Sequence, residues 1–231
     1  MFLYKKELHR NKFRFPFDGI DRIETSYSQL LQDMFVLTAT NGKEYGTFVE
    51  VGGDQAIFIN NSYLLESQFG WEGITFDINP ASYQSYQFHN RKSKFFLGDA
   101  LGMDFEKILL DNFDSRRIDM LQLDLEPSRN TFACLKKIPL DIFRFSIILY
   151  ETDFYDPSMS REEAEYIRSE STKILEDRGY VLVASNLSNL TDTEPMENWF
   201  MDGTYFAKNW INKFKRDSVE PIAAHKYLGL E

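Results

Sequence analysis

Between about residue 47 and residue 184, short apolar runs alternate with stretches of helical periodicity, which leaves the chain few ways to fold. The runs are Thr47–Val51, Gly73–Asp77, Lys94–Leu97, Met120–Leu125, Phe145–Tyr150 and Tyr180–Ala184. Strands separated by helices read as a mostly parallel sheet covered on both faces, because each parallel connection needs a crossover. The helices carry their own punctuation. Asn61 is placed to cap a helix through Phe69 that Gly70 stops, and Asn79-Pro80 opens another over Ala81–His89. Further helices are expected over Phe105–Asn112 and Thr131–Lys137. Ser160 with Glu163 forms a capping box for a helix that reaches Asp177 before Gly179. Upstream, Leu30, Leu31, Met34, Phe35 and Leu37 give Ser28–Thr38 an amphipathic helical period, and residues 1–24 read as an irregular arm. Asn186–Gly203 is polar and turn-rich.

A chain of 231 residues with 21 Phe and 12 Tyr has the apolar material for a real core. Its formal net charge of −10 argues against nucleic acid or an anionic lipid surface as partner, although Lys5, Lys6, Arg10, Lys12 and Arg14 make the amino terminus locally positive. Cys134 is the one cysteine, and His9, His89 and His225 match no metal-ligand spacing, so no metal site is expected. No apolar run approaches bilayer length and the first residues lack a secretory core, which makes a cytoplasmic protein the expectation.

The strand ends carry the chemistry. Thr47–Val51 runs into Gly52-Gly53-Asp54, read as a strand-to-helix turn that presents backbone N–H groups to a ligand and whose glycines permit its close approach, with Glu50 as an acid at the strand end. The spacing is not the dinucleotide pattern, and Asp54 would repel a pyrophosphate. Acids here suit a ligand with a cationic amino group, which favours S-adenosylmethionine over a nicotinamide dinucleotide. Asp77 closes the next strand, where a carboxylate can accept from ribose hydroxyls, or cap the helix after Pro80. Asp99 closes the third, within reach of an adenine amino group. Three acids at successive strand ends line one crevice, and a nucleoside ligand is the reading they support. After the fourth strand, alternation would set Asp124 and Glu126 on one side above that crevice, with Glu151 and Asp153 facing them after the fifth. Clustered carboxylates can raise one another's proton affinity, as a general base requires, and can equally bind a divalent cation.

These residues resemble the FkbM-type S-adenosylmethionine-dependent methyltransferases over roughly Ser28–Trp199. The resemblance rests on Gln32-Asp33-Met34-Phe35-Val36, Gly46–Gly52, Asn61–Glu66, Gly70–Ile74, Asp119–Glu126, Tyr150–Asp153 and Glu197-Asn198-Trp199. It implies an α/β fold with a Rossmann-like seven-strand methyltransferase sheet, helices on both faces, and an N-terminal arm and helix (1–45) packed on the catalytic domain (46–231). It also implies methyl transfer from S-adenosyl-L-methionine to a hydroxyl on a small-molecule acceptor such as a saccharide. Carried over, Glu50, Gly52, Gly53 and Asp54 would hold the donor's amino-acid part, Asp77 the ribose and Asp99 the adenine side. Asp124 and Glu126 would lie at the reacting edge. Apart from the resemblance, Asp124, Glu126 and Glu151 are the candidates for proton acceptor or hydroxyl clamp, and Tyr63, Tyr155 and Trp199 are candidate walls of the acceptor pocket. Ala56, Asp77 and Pro127 depart from the family pattern, where glycine, glutamate and glycine are common. A noncatalytic binding module on the same fold is the alternative, and an oxidoreductase is disfavoured by the incomplete glycine pattern.

Overall fold

The computed structural model describes residues 13–229 apart from 153, 155–157, 190–192 and 194. Lys5, Lys6, Arg10, Lys12, Asp153 and Tyr155 therefore lie outside the described residues. Helix α1 (Gln32–Ala39) leads to β1 (Thr47–Val51), α2 (Tyr63–Phe69), β2 (Glu72–Asp77), α3 (Pro80–Phe88) and β3 (Lys94–Leu97). Then come α4 (Phe105–Asn112), β4 (Arg117–Leu123), α5 (Ser128–Leu135), β5 (Arg144–Glu151) and α6 (Arg161–Glu176). The chain continues through β6 (Tyr180–Ser188), β7 (Glu197–Asp202), α7 (Lys208–Phe214), β8 (Ile222–Ala223) and α8 (Ala224–Tyr227).

Several helix boundaries follow from capping chemistry visible in the sequence. Ser160 accepts from Glu163 N to open α6, and Gly179, at φ +83°, turns the chain after it. Asn79 accepts from Ala81 N to open α3 with Pro80 in its first turn. Two starts differ from expectation. The cap of α2 comes from Asn60, not Asn61: its Oδ1 accepts from Tyr63 N at 2.7 Å and Ser62 N at 3.2 Å. Helix α1 starts at Gln32, four residues after Ser28, because local side chains compete with the helix for its first amides. Buried Asp33 accepts from Ser26 Oγ and Tyr27 N, while Ser28 Oγ accepts from Asp33 N.

The sheet order is β3-β2-β1-β4-β5-β7-β6-β8, with β1 to β5 parallel and β7 antiparallel to both β5 and β6. Among the described residues the sheet has eight strands where seven were expected. The additional β8 pairs parallel to the carboxyl end of β6 through Leu187 and Ser188, and Arg216 N donates to Val183 O earlier on the same edge. The polar 186–203 stretch is not a loop region throughout. Strand β6 runs on to Ser188, and every residue of β7 is buried, its Glu197, Asn198 and Asp202 finding partners inside the protein. Buried polar groups with partners hide a strand from any hydropathy reading.

Each face of the sheet packs a core. On one, Phe48, Met120, Leu149, Trp199 and Met201 meet α1, α2, α7 and α8, with the Phe35 ring stacked 4.4 Å from that of Trp199. On the other, Val51, Phe76, Leu121, Ile148 and Phe200 meet Leu109 of α4, Leu135 of α5 and Leu175 of α6. The amino ends of β4 and β5 are tied to the carboxyl end of β7 by Asp202, which accepts from Arg117 at 2.7 Å and Arg144 at 2.5 Å. Burial opposes the charge on Asp202, but Arg144, Arg117 and Thr204 outweigh it and hold the carboxyl below its ordinary value.

Because that pKa is depressed, the stabilisation is present above the ordinary carboxylate range and is lost as pH falls through the lowered value. Asp202→Asn should cost about 2–3 kcal/mol at neutral pH, less than for a fully buried pair since both arginines are partly exposed. Urea denaturation checks this, and the gap from the unsubstituted protein should narrow as the pH drops below the ordinary carboxylate range.

Candidate functional site

The strand order reverses between β1 and β4, since β2 lies on one side of β1 and β4 on the other. In open α/β sheets a crevice forms outside the carboxyl ends of the strands at this point. Gly52 sits there with φ +88°, and a Cβ on it would stand 1.7 Å from the carbonyl oxygen of Asp124. Only glycine fits, because the loops after β1 and β4 cross in contact. The crossing is fastened by Asp124 N donating to Val51 O at 3.0 Å.

The turn differs from the expected one in two respects. Gly52 N and Gly53 N both donate to Phe76 O, and Asp54 N donates to Asp77 Oδ2, so these three amides face the protein and not the crevice. Nor does a helix follow directly, since α2 begins only at Tyr63. The intervening loop is shaped from beneath by Glu50. Its carboxylate is 1% exposed and accepts from Ser62 Oγ at 2.8 Å, Tyr86 Oη at 3.1 Å, Thr75 Oγ1 at 3.2 Å and Asn60 Nδ2 at 3.4 Å. Asn60 and Tyr86 also reach the carbonyl of Gly53. Burial pushes the Glu50 carboxyl above its ordinary value, with Arg91 and the hydroxyl donors pulling the other way.

Arg91 closes this network. Its guanidinium donates to Ala56 O, Asn60 Oδ1, Ser62 Oγ and the Glu66 carboxylate, which also accepts from Lys92 N and Ser93 N. Neither Arg91 nor Glu66 was singled out by the sequence reading. The arginine follows α3 without any motif, and only the fold brings it under the loop.

The other acids lie at the strand ends. Asp77 ends β2, part-buried, its two oxygens accepting from Asp54 N and Asn79 N at 2.8 and 2.7 Å. Each carboxylate oxygen keeps a second lone pair for a ligand hydroxyl. Asp54 is exposed beside it, its carboxyl raised by burial of the group and by Asp77. Asp99, beyond β3, is exposed and caps a short 3-10 turn by accepting from Leu101 N. Ile78 and Leu97 flank these acids with 67% and 45% of their surface exposed, apolar ground at a polar edge.

Strand β4 ends at Leu123, so strand alternation does not extend to Asp124 and Glu126. Asp124 is part-buried beside Gly52, whereas Glu126 is exposed. The N-cap position of α5 is Pro127, which makes no side-chain bond. Glu151 ends β5, 7% exposed, and stands opposite Glu197 of β7. Trp199 does not wall a pocket. It is fully buried in the core, and its indole N–H donates to Glu197 at 2.6 Å. Tyr63 is part-buried, with its ring edge against Tyr27.

No family model and no curated protein matches this sequence. Solved structures match at the level of the fold. An O-methyltransferase from Bacillus cereus, solved in complex with SAH, is 12% identical with a TM-score of 0.53, covering 75% of this chain and 80% of that one. A provisionally named rRNA methylase from Clostridium thermocellum is 14% identical with a TM-score of 0.50, covering 77% of this chain and 97% of that one. The chain has the Rossmann-like α/β fold of these methyltransferases.

Removing Arg91 would leave Glu66 and Glu50 buried without their cation. Arg91→Met should therefore destabilise the fold by about 3–5 kcal/mol, whereas Arg168→Met, far from this loop, should cost well under half of that. Chemical denaturation of both variants measures the difference.

Proposed function

We propose that the protein is an S-adenosylmethionine-dependent methyltransferase that methylates a hydroxyl on a small-molecule acceptor, a sugar being the leading class. The observation that carries this reading is the strand order, which puts a glycine-only turn at the reversal with an acid at each neighbouring strand end. When bound, S-adenosylmethionine supplies a sulfonium methyl that is already electrophilic, so activation is the cofactor's own chemistry.

The chain's residues suit the remaining tasks. Asp77 has lone pairs for two ribose hydroxyls, and Ile78 and Leu97 offer apolar surface for a flat base, with Asp99 near its polar rim. Asp54, above the Glu50 platform and beside Gly52 and Gly53, gives the negative end that a cationic amino group requires. At the reacting edge the acceptor's hydroxyl would pass its proton to a carboxylate as its oxygen gains the methyl group. Asp124, Glu126 and Glu151 are the candidates, and orientation supplies most of the rest. One structural relative carries an rRNA-methylase name, but a net charge of −10 disfavours a polyanionic acceptor.

A second reading, a noncatalytic module on this fold, has one observation in its favour: the amides of Gly52, Gly53 and Asp54 are all spent within the protein. Calorimetric titration with S-adenosylhomocysteine separates the two. The methyltransferase reading expects micromolar binding that Asp77→Ala weakens about tenfold or more, as loss of a charged hydrogen-bond acceptor would. Absence of binding to the folded protein would favour the module.

A further inference from the structure

The loop between β1 and α2 ends in a group of uncharged polar and aromatic side chains, and Asn61 stands at its centre. Asn61 is 7% exposed, yet its Oδ1 is buried without a hydrogen-bond partner and its side chain makes no hydrogen bond among the described residues. The side chains on either side of it are spent on the Glu50 network. Ser62 Oγ donates to Glu50 at 2.8 Å, and Asn60 Nδ2 donates to the carbonyl of Gly53 at 3.2 Å. Folded proteins rarely leave a buried carbonyl unsatisfied, because its desolvation is costly. The segment before α1 completes the group. Asn60 N donates to Tyr27 O at 3.1 Å, and the Tyr27 ring meets that of Tyr63 edge-on with centroids 4.7 Å apart. Both rings are part-buried, and neither hydroxyl makes a hydrogen bond among the described residues. At the tip of the same loop Phe58 and Ile59 leave 40% and 46% of their surface exposed. Ile59 holds φ +55°, a left-handed conformation that β-branched residues avoid, and strain of this kind gathers at ligand clamps. Arg91, 5.5 Å from the Tyr63 ring centroid, is committed to Glu66, and Asp33 accepts from Ser26 Oγ and Tyr27 N. Aromatic faces, phenol hydroxyls and a carboxamide are the groups on offer.

We propose that Tyr27, Asn61 and Tyr63 form the acceptor subsite, and that it takes an uncharged ring compound with several hydroxyls, a monosaccharide being the simplest. That this ring is the methyl acceptor rests on the methyltransferase reading; that the group binds it does not. A pyranose has an apolar C–H face and a polar rim. The two tyrosine rings, with Phe58 and Ile59, suit the face. Asn61 can accept from one rim hydroxyl through Oδ1 and donate to another through Nδ2, while each phenol can do either. A buried amide that only the right ligand satisfies discriminates strongly against compounds lacking the matching hydroxyl. A charged ligand would find no free opposite charge among these three side chains, and its desolvation would go uncompensated. Gly53 is the border with the donor's side of the crevice. Asn60 holds its carbonyl, whereas its amide goes to Phe76 O of β2.

The Asn61 carboxamide is its own reporter. In nitrogen–proton correlation spectra its Nδ2 protons are identified by their loss in Asn61→Leu. The probes are the methyl glycosides of glucose, galactose, mannose and rhamnose, each titrated to tens of millimolar with and without S-adenosylhomocysteine. At least one glycoside should shift those protons along a saturating curve. Asn61→Leu should weaken its binding, read from saturation transfer to the glycoside, by about tenfold or more. Tyr27→Phe and Tyr63→Phe, which keep the rings, should each weaken it about threefold. Without ligand, Asn61→Leu should unfold at no lower urea concentration than the unsubstituted protein, because an apolar side chain of similar shape replaces an unsatisfied carbonyl. A clear drop in that midpoint would make Asn61 a structural residue and overturn the proposal. So would a panel in which no glycoside moves the Asn61 signals, or a glycoside whose binding Asn61→Leu and Tyr27→Phe leave unchanged. Binding of S-adenosylhomocysteine with no glycoside response would keep the methyltransferase reading and remove this subsite. An Asn61-dependent glycoside response in a protein that binds no S-adenosylhomocysteine would keep the sugar site and sink the methyltransferase reading.

Discussion

The carboxylate of Glu50 is the constraint on which the candidate site depends. It is an acid in the body of a central strand, shut away from water, and it survives there only because donors from four separate segments converge on it. Those donors fix Ser62 at the head of α2, Thr75 on β2, Tyr86 on α3 and Asn60 in the loop between β1 and α2. Asn60 and Tyr86 then hold the carbonyl of Gly53, and Arg91 holds that of Ala56. A buried charge that must be satisfied thus dictates the path of an eleven-residue loop that has little regular structure of its own. The acid at the end of β1 supports the turn from below, while Asp54 and Asp77 line its exposed side.

The two edges of the parallel strands carry different kinds of charge. At the amino edge, Asp202 is compensated by Arg117 and Arg144, and the arrangement fixes the register of three strands. At the carboxyl edge, acids end β2, follow β4, end β5 and begin β7, with amides and an indole among their donors. The first arrangement contributes stability. The second holds negative charge and protons at a cost, as chemically active edges commonly do.

Much of this architecture was legible from the residues. The apolar runs located six strands, and Ser160, Asn79 and Gly70 marked helix ends because capping depends on side chains adjacent in sequence. Gly52 was legible as a close approach, although its partner, the carbonyl of Asp124, lies 72 residues away and only the β1–β4 pairing brings it there. What could not be read has the same origin. Strand β7 was hidden because Glu197, Asn198 and Asp202 are polar residues whose partners sit on other strands. Arg91 and Asn60 gave no signal because their importance lies in what they hold up. The amides of Gly52 to Asp54 were expected to face a ligand, but β2 runs close enough to claim them first. The expected Rossmann-like sheet is the fold of the solved methyltransferases, while no family model matches to bear out the FkbM-type resemblance itself.

Strand β8 is two residues long, yet it changes what the sheet offers to other molecules. An open sheet ends in rows of unpaired amides and carbonyls, and a long flat edge invites another chain to add itself. Here β6 has β7 on one side, while β8 and the amide of Arg216 occupy part of the other. The opposite border, β3, spans four residues and opens on Lys94, whose charge and brevity discourage pairing. A chain so rich in apolar strands is thereby guarded at both borders against self-templated growth, and a few residues near its carboxyl terminus supply half of that protection.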